Sequence, residues 1–145
     1  MANIGQTIII RTDLFDLPQD MGLLAAQVAH IHFEMTRKIL NKNYIAKEQF
    51  IGIELPNEVV ETEAFIEWMN QPYLFVKRVP NAEGLRHFWK LAQEAKLPTA
   101  EWRDTVYVRF SSTMKQAFKD TLVGISIGPA DSDRIRTVVG DLPLL

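Results

Sequence analysis

The chain contains no cysteine, which excludes a disulfide framework, a thiolate zinc site and a cysteine nucleophile. It has no apolar run approaching the ~20 residues needed to cross a bilayer. The opening MANIGQTIII lacks the basic start and long apolar stretch of a secretory signal. No GxGxxG, GxxxxGK, GxSxG or HExxH is present, so the compact signatures of dinucleotide, phosphate-loop, serine-hydrolase and zinc-protease chemistry are missing. Nor is there an excess of basic charge: the formal net charge is −2, which argues against strong indiscriminate nucleic-acid binding. No repeat, linker or low-complexity tract breaks the chain. A soluble, cytoplasmic protein with no membrane attachment is the expectation.

What is present is a globular composition, 47% hydrophobic and 23% charged, in a length that suits one domain spanning 1–145. The charge is uneven. Residues 1–75 carry five Lys/Arg against ten Asp/Glu, residues 76–119 nine against four, and the last 26 two against four. The middle segment therefore offers a basic surface for phosphates, or else simply exposes mixed charges that clustering in sequence does not bring together in space.

The periodicities alternate between strand and helix. Thr7 to Thr12 is β-branched and nearly continuous in apolar character, as interior strands of α/β sheets are. After the turn at 16–20, the residues Met21, Leu24, Ala25, Val28, Ile31, His32, Met35 and Ile39 recur at helical spacing, with Pro18 or Asp20 suiting the start and Asn41 to Asn43 the end. Residues 50–56 read as a short strand or a loop, and Asn57 as the cap of a helix packing through Val60, Ala64, Phe65 and Trp68. Tyr73–Val79 reads as a strand. Asn81 then caps a helix with the face Leu85, Phe88, Trp89, Ala92 and Ala95, ending at Leu97-Pro98. Strands follow at Thr105–Phe110 and Thr121–Ile127, the second stopped by Gly128-Pro129, before a short helix over 132–138. Residues 111–120 are compatible with a lid, a helix or a disordered insertion. This order predicts a three-layer α/β/α sandwich around a mixed sheet of about four strands.

The candidate chemistry lies near the first strand-to-helix junction. Gly22, Ala25, Ala26 and Ala29 are small enough to seat a helix closely on a sheet, and Gln27 and His30 project from an otherwise apolar surface. A helix N-terminus there offers N–H groups to a phosphate or an oxyanion. His30 and His32 stand about 200° apart on a helix, so they cannot share a metal, and each reads more simply as a structural histidine. Trp68, Tyr73, Phe88 and Trp89 read as core.

From Thr7 to His30 the chain resembles the opening of type II peptidyl-tRNA hydrolases: an apolar strand, the RTDL segment Arg11-Thr12-Asp13-Leu14, then a helix opening on glycine with Ala25-Ala26-Gln27 and a later histidine. Glu67-Trp68, Asn70-Gln71-Pro72, the helix from Leu85 to Lys96, Thr121 to Pro129, and the closing Asp133, Ile135, Val139-Gly140 and Leu142 continue the resemblance in order. It implies a cofactor-free, metal-free hydrolase that cleaves the ester between a peptide and tRNA, commonly as a homodimer. By position it implies Gln27, Asp104 and Thr121 as catalytic residues, with Asp104 acting on water and the other two donating to the ester or its oxyanion. Gly22, His30, Arg103 and Arg109 would meet substrate, and Lys115 and Lys119 could join the arginines on tRNA phosphates. The plainer alternatives are a surface aspartate beside Arg103, a glutamine satisfied by local backbone, and a β-branched strand threonine.

Departures from the pattern keep other functions open. Leu23 stands where the family has a lysine, Thr105-Val106-Tyr107 follows Asp104 in place of the family's AGRT, and Pro143 replaces a closing lysine. The alternatives are a catalytically inactive homologue serving as a dimeric module that binds RNA, a ligand or a protein, and an enzyme acting on a small molecule in a more apolar cleft.

Overall fold

The computed structural model describes residues 3–49, 62–70, 73–109, 111 and 113–145. Eight elements follow in order: β1 (Ile4–Arg11), α1 (Met21–Gln49), α2 (Thr62–Asn70), β2 (Tyr73–Val79), α3 (Ala82–Glu94), β3 (Thr99–Arg109), β4 (Lys115–Asp131) and α4 (Ser132–Val139). The strands form one mixed sheet in the order β2-β1-β4-β3. β1 and β2 are parallel, while β4 runs antiparallel to both β1 and β3.

Ile8, Ile9 and Ile10 are wholly buried because β1 is interior and covered on both faces, the situation that favours an unbroken aliphatic run. Alternation along the strand sends Ile9 to the side of α3 and α4, where it packs with Leu85, Ile125 and Ile135. Ile8 and Ile10 face α1, beside Leu24, Ile31 and Val123. Farther along α1, Met35 and Ile39 meet Trp68 of α2 and Ala100 of β3. The predicted three-layer α/β/α sandwich with four mixed strands is the observed architecture.

Several boundaries differ from the sequence expectation. α1 continues past Asn43 to Gln49, since asparagine carries only a small helix penalty and no glycine or proline intervenes. α3 begins where Asn81 accepts from the Gly84 N–H, but it ends before Leu97: Lys96 adopts φ 57°, a left-handed turn that terminates the helix. β3 starts six residues earlier than expected, so Asp104 lies within a strand rather than at its entrance. β4 likewise begins at Lys115, so residues 115–120 are strand, paired with the end of β3 down to Arg109↔Lys115. Gly128-Pro129 does not stop β4. The register shifts between Gly5 and Thr7 on β1, leaving Pro129 without a ladder partner, and pairing resumes at Gly5↔Ala130. Proline's missing donor is tolerated at such a bulge. The expected strand or loop over 50–56 and the Asn57 cap lie outside the described residues.

The close seat of α1 has a different origin from the one expected. Gly22, Ala25, Ala26 and Ala29 all point outward, and Met21 is exposed, whereas Leu24, Gln27, Ile31, Met35 and Ile39 form the buried stripe. The space comes from the strand: a Cβ at Gly124 would stand 2.5 Å from the Ile31 Cδ1 and 2.8 Å from the Ile9 carbonyl oxygen. Tyr73, expected in the core, is exposed on edge strand β2.

Candidate functional site

Among the described residues of α1, one polar side chain sits in the buried stripe. Gln27 is 4% exposed, so its amide must find partners on the sheet, and two residues of β3 supply them. The Gln27 Nε2 donates to Asp104 Oδ2 at 3.1 Å, and the Trp102 indole Nε1 donates to Gln27 Oε1 at 2.7 Å. Trp102 and Asp104 are two residues apart on one strand and therefore share the face toward α1. The other carboxylate oxygen, Oδ1, accepts the Thr105 backbone N–H at 2.7 Å. Asp104 is partly buried and retains acceptor capacity on both oxygens.

The backbone around Asp104 is irregular. The β3–β4 register shifts between Trp102 and Arg103 and again between Asp104 and Val106, leaving Asp104 paired with Thr121 across the ladder. Beside Thr121, Asp120 takes φ 50°, a left-handed conformation uncommon outside glycine and asparagine-like residues. Bulges of this kind re-aim side chains and cluster near functional sites. The Thr121 hydroxyl donates to the Phe118 carbonyl at 3.1 Å, so it is tied to its own strand. Arg103 pairs with Glu101 and donates to the Asp120 carbonyl, which braces the irregular segment.

A cleft of about 160 Å³ opens beside this pair. Gln27 and Thr105, both bonded to the Asp104 carboxylate, line it. Leu14, Phe15, Leu23 and Val106 make its apolar wall, and Arg109 and Lys115 stand at the hairpin end. Asp16 and Asp20 lie at the α1 end. The Asp20 carboxylate accepts the Asp16 N–H, while its carbonyl receives the first α1 bond, from Leu24; it begins the helix without capping it through its side chain. Asp104 is not itself a lining residue and meets the cleft through Gln27 and Thr105, and Thr121, Gly22, His30 and Arg103 do not line it either. Gly22 is exposed with nothing within 4 Å of a built Cβ. His30 lies one turn beyond Gln27, exposed and stacked on the Trp102 ring at 5.0 Å with planes 10° apart.

His32 is directed elsewhere. Its Nδ1 is 2.8 Å from Gln6 Oε1, and Gln6 Nε2 donates to Ser126. Partial burial lowers its pKa from 6.5 because desolvation disfavours the charged ring. Among the described residues no three His, Cys, Asp or Glu side chains gather as a metal set. A larger cavity, about 260 Å³, lies beside α4. Lys77, in its lining, donates from Nζ to the carbonyls of Val139, Gly140 and Leu142.

The family model for peptidyl-tRNA hydrolase PTH2 matches residues 4–145. The chain belongs to the PTH2 family. It is similar to the peptidyl-tRNA hydrolase of Sulfurisphaera tokodaii, 29% identical over 140 residues and 95% of each chain. The peptidyl-tRNA hydrolase of Saccharolobus solfataricus is 26% identical, covering 98% of this chain and 99% of its own. That of Staphylothermus marinus is 28% identical, with 97% and 93% covered. This PTH2 member is thus a divergent one, matched along nearly its whole length. Among the described residues no helix is long and apolar enough to cross a membrane.

The residues named from the PTH2 resemblance divide into two groups. Gln27 and Asp104 are in contact, and Thr121 is Asp104's ladder partner. Arg109 and Lys115 share the cleft, whereas Arg103 is occupied with the bulge. Trp102 is the residue that the sequence reading leaves unassigned. Its signal is the two-residue spacing to Asp104, which on a strand means a shared face.

Proposed function

We propose that this PTH2-family chain is a peptidyl-tRNA hydrolase-like esterase, cleaving the ester between a peptide and the 3′ end of tRNA. The observation that carries the reading is the Gln27–Asp104 contact, 3.1 Å, with Gln27 in the wall of the cleft and Asp104 behind it. Ester hydrolysis needs a group to take a proton from water and donors for the carbonyl oxygen as it gains charge. Asp104 is the base, since its carboxylate is held by Gln27 and Thr105 yet has lone pairs to spare. Gln27 has a second N–H to offer the substrate oxygen, and Thr121 joins it once its hydroxyl turns away from the Phe118 carbonyl. Lys115 and Arg109 receive phosphates at the hairpin end, with Lys119 and Arg103 on the neighbouring surface. Gly22 leaves the first turn of α1 uncovered for substrate backbone, and His30 offers a ring face beside the reacting pair. The protein works as one domain over 1–145, in the cytoplasm and as a homodimer, without metal or cofactor.

The exposed Leu23 in the cleft wall favours one alternative. With an apolar group where the family resemblance places a lysine, the same cleft suits an inactive homologue that binds RNA, a ligand or a protein partner as a dimeric module. The two readings separate in a release assay with N-acetylaminoacyl-tRNA. The hydrolase yields free N-acetyl amino acid and intact tRNA at catalytic enzyme. Retention of the ester at stoichiometric enzyme, with tRNA bound, identifies the binding module.

A further inference from the structure

We propose that Trp102 is a positioning residue for the hydrolytic pair: its indole N–H dictates which way the Gln27 amide faces, and hence which group Asp104 receives. The inference rests on reading Gln27 and Asp104 as the reacting pair.

An amide has a donor end and an acceptor end of almost equal shape, so its direction is set by its neighbours. Indole nitrogen can only donate, and an ionised carboxylate can only accept. With Trp102 Nε1 at 2.7 Å from Gln27 Oε1 and Asp104 Oδ2 at 3.1 Å from Gln27 Nε2, one amide orientation satisfies both neighbours. The reverse orientation opposes donor to donor at Trp102 and acceptor to acceptor at Asp104. Trp102 and Asp104 thus clamp the amide from two sides. At 4% exposure, bulk water does not replace the indole bond once it is lost.

The indole is itself fixed. It lies on the α1 face of β3 and packs with the cluster of Ile8, Ile10 and Leu24. His30, three residues after Gln27 and so adjacent to it on the helix, stacks on the indole face at 5.0 Å. α1 thus meets the ring twice, through Gln27 at its N–H edge and His30 on its face. Trp68 has a different place, buried against Met35 and Ala100.

Replacing Trp102 by benzothienylalanine exchanges the indole N–H for sulfur with nearly the same shape, and Trp102→Phe removes the N–H with part of the ring. Both are made in the full-length protein and in a Gln27→Met background. The readouts are kcat and KM on N-acetylaminoacyl-tRNA, and the side-chain amide signals of Gln27 in nitrogen-15-labelled protein. The sulfur analogue is expected to lower kcat about tenfold, the worth of one buried hydrogen bond, with KM changed less than about twofold. It should cost nothing further in Gln27→Met, and the Gln27 amide pair should shift and broaden. Wild-type kcat in the analogue, or an equal loss in both backgrounds, would overturn the proposal. If the parent protein shows no turnover, the hydrolase reading fails on its own. The amide signals then decide: unchanged Gln27 resonances in the analogue defeat the clamp, and their shift sustains it.

Discussion

Consider Gly124→Ala. Gly124 lies where α1 crosses β4, and the added methyl would meet Ile31 Cδ1 at 2.5 Å and the Ile9 carbonyl oxygen at 2.8 Å. The first clash is with the end of a flexible side chain, which can swing off its rotamer for roughly 0.5–1.5 kcal/mol. The second is with backbone of an interior strand, about half an ångström short of a normal C···O approach of ~3.3 Å, and β1 is held on both sides by β2 and β4. Together they place the cost near 2 kcal/mol, within the ~1–3 kcal/mol range for overpacking. For a chain of this length that lowers Tm by about 4–8 °C. Ile31→Val removes Cδ1 and should recover the side-chain part of the loss, visible as non-additivity in a double-mutant cycle. Urea or thermal unfolding of the four proteins supplies the numbers. A Gly124→Ala protein as stable as wild type within about 0.5 kcal/mol, or strictly additive with Ile31→Val, would refute the argument that this glycine sets the seat of α1. Because α1 carries Gln27 to Asp104, hydrolysis should fall in the same variant.

Two further outcomes follow from the site and its surroundings. Leu23 is 47% exposed on the cleft wall, so Leu23→Lys should leave stability within about 0.5 kcal/mol and raise kcat/KM on N-acetylaminoacyl-tRNA on the order of tenfold by adding positive charge beside the developing oxyanion; an unchanged rate would show that this position does not face the reacting group. His32 has a lowered pKa through burial, so the folded protein binds its proton less readily than the unfolded chain does. Its contribution to stability is therefore full above 6.5 and is lost as pH falls through the folded-state value. His32→Gln, which can still donate to Gln6, should flatten the decline of the urea midpoint between about pH 7.5 and pH 5.5; a decline as steep as that of wild type would remove His32 as its source.

How much of this was legible in the residues depends on whether neighbours in sequence or in space decide the outcome. The three consecutive isoleucines of β1 and the helical spacing of Leu85 and Ala92 behind Asn81 speak for themselves, because burial on both faces and a capped amphipathic face are local patterns. The direction of α1 was not legible: its alanines and its aliphatic stripe are both apolar, and the glycine that admits the helix is about 100 residues away on β4. The lengths of β3 and β4 were also hidden. Exposed strand residues such as Lys115 and Lys119 carry no alternating apolar signal, and Pro129 reads as a stop unless the bulge opposite Gln6 is known. At the site, the family resemblance pointed to Gln27 and Asp104 as candidates, and the fold puts them in contact. Trp102 went unassigned because an aromatic on a strand reads as packing; only the helix lying across it shows that its N–H meets Gln27.

The most direct measurement of the central claim is single-turnover release of N-acetyl amino acid from tRNA by wild type and by Asp104→Asn. The substitution keeps the shape of the side chain and removes its ability to take a proton from water. The account predicts turnover by wild type and a rate about 100-fold lower or less in Asp104→Asn, with tRNA binding retained. Equal rates in the two proteins, or no release by wild type at enzyme excess, would contradict it.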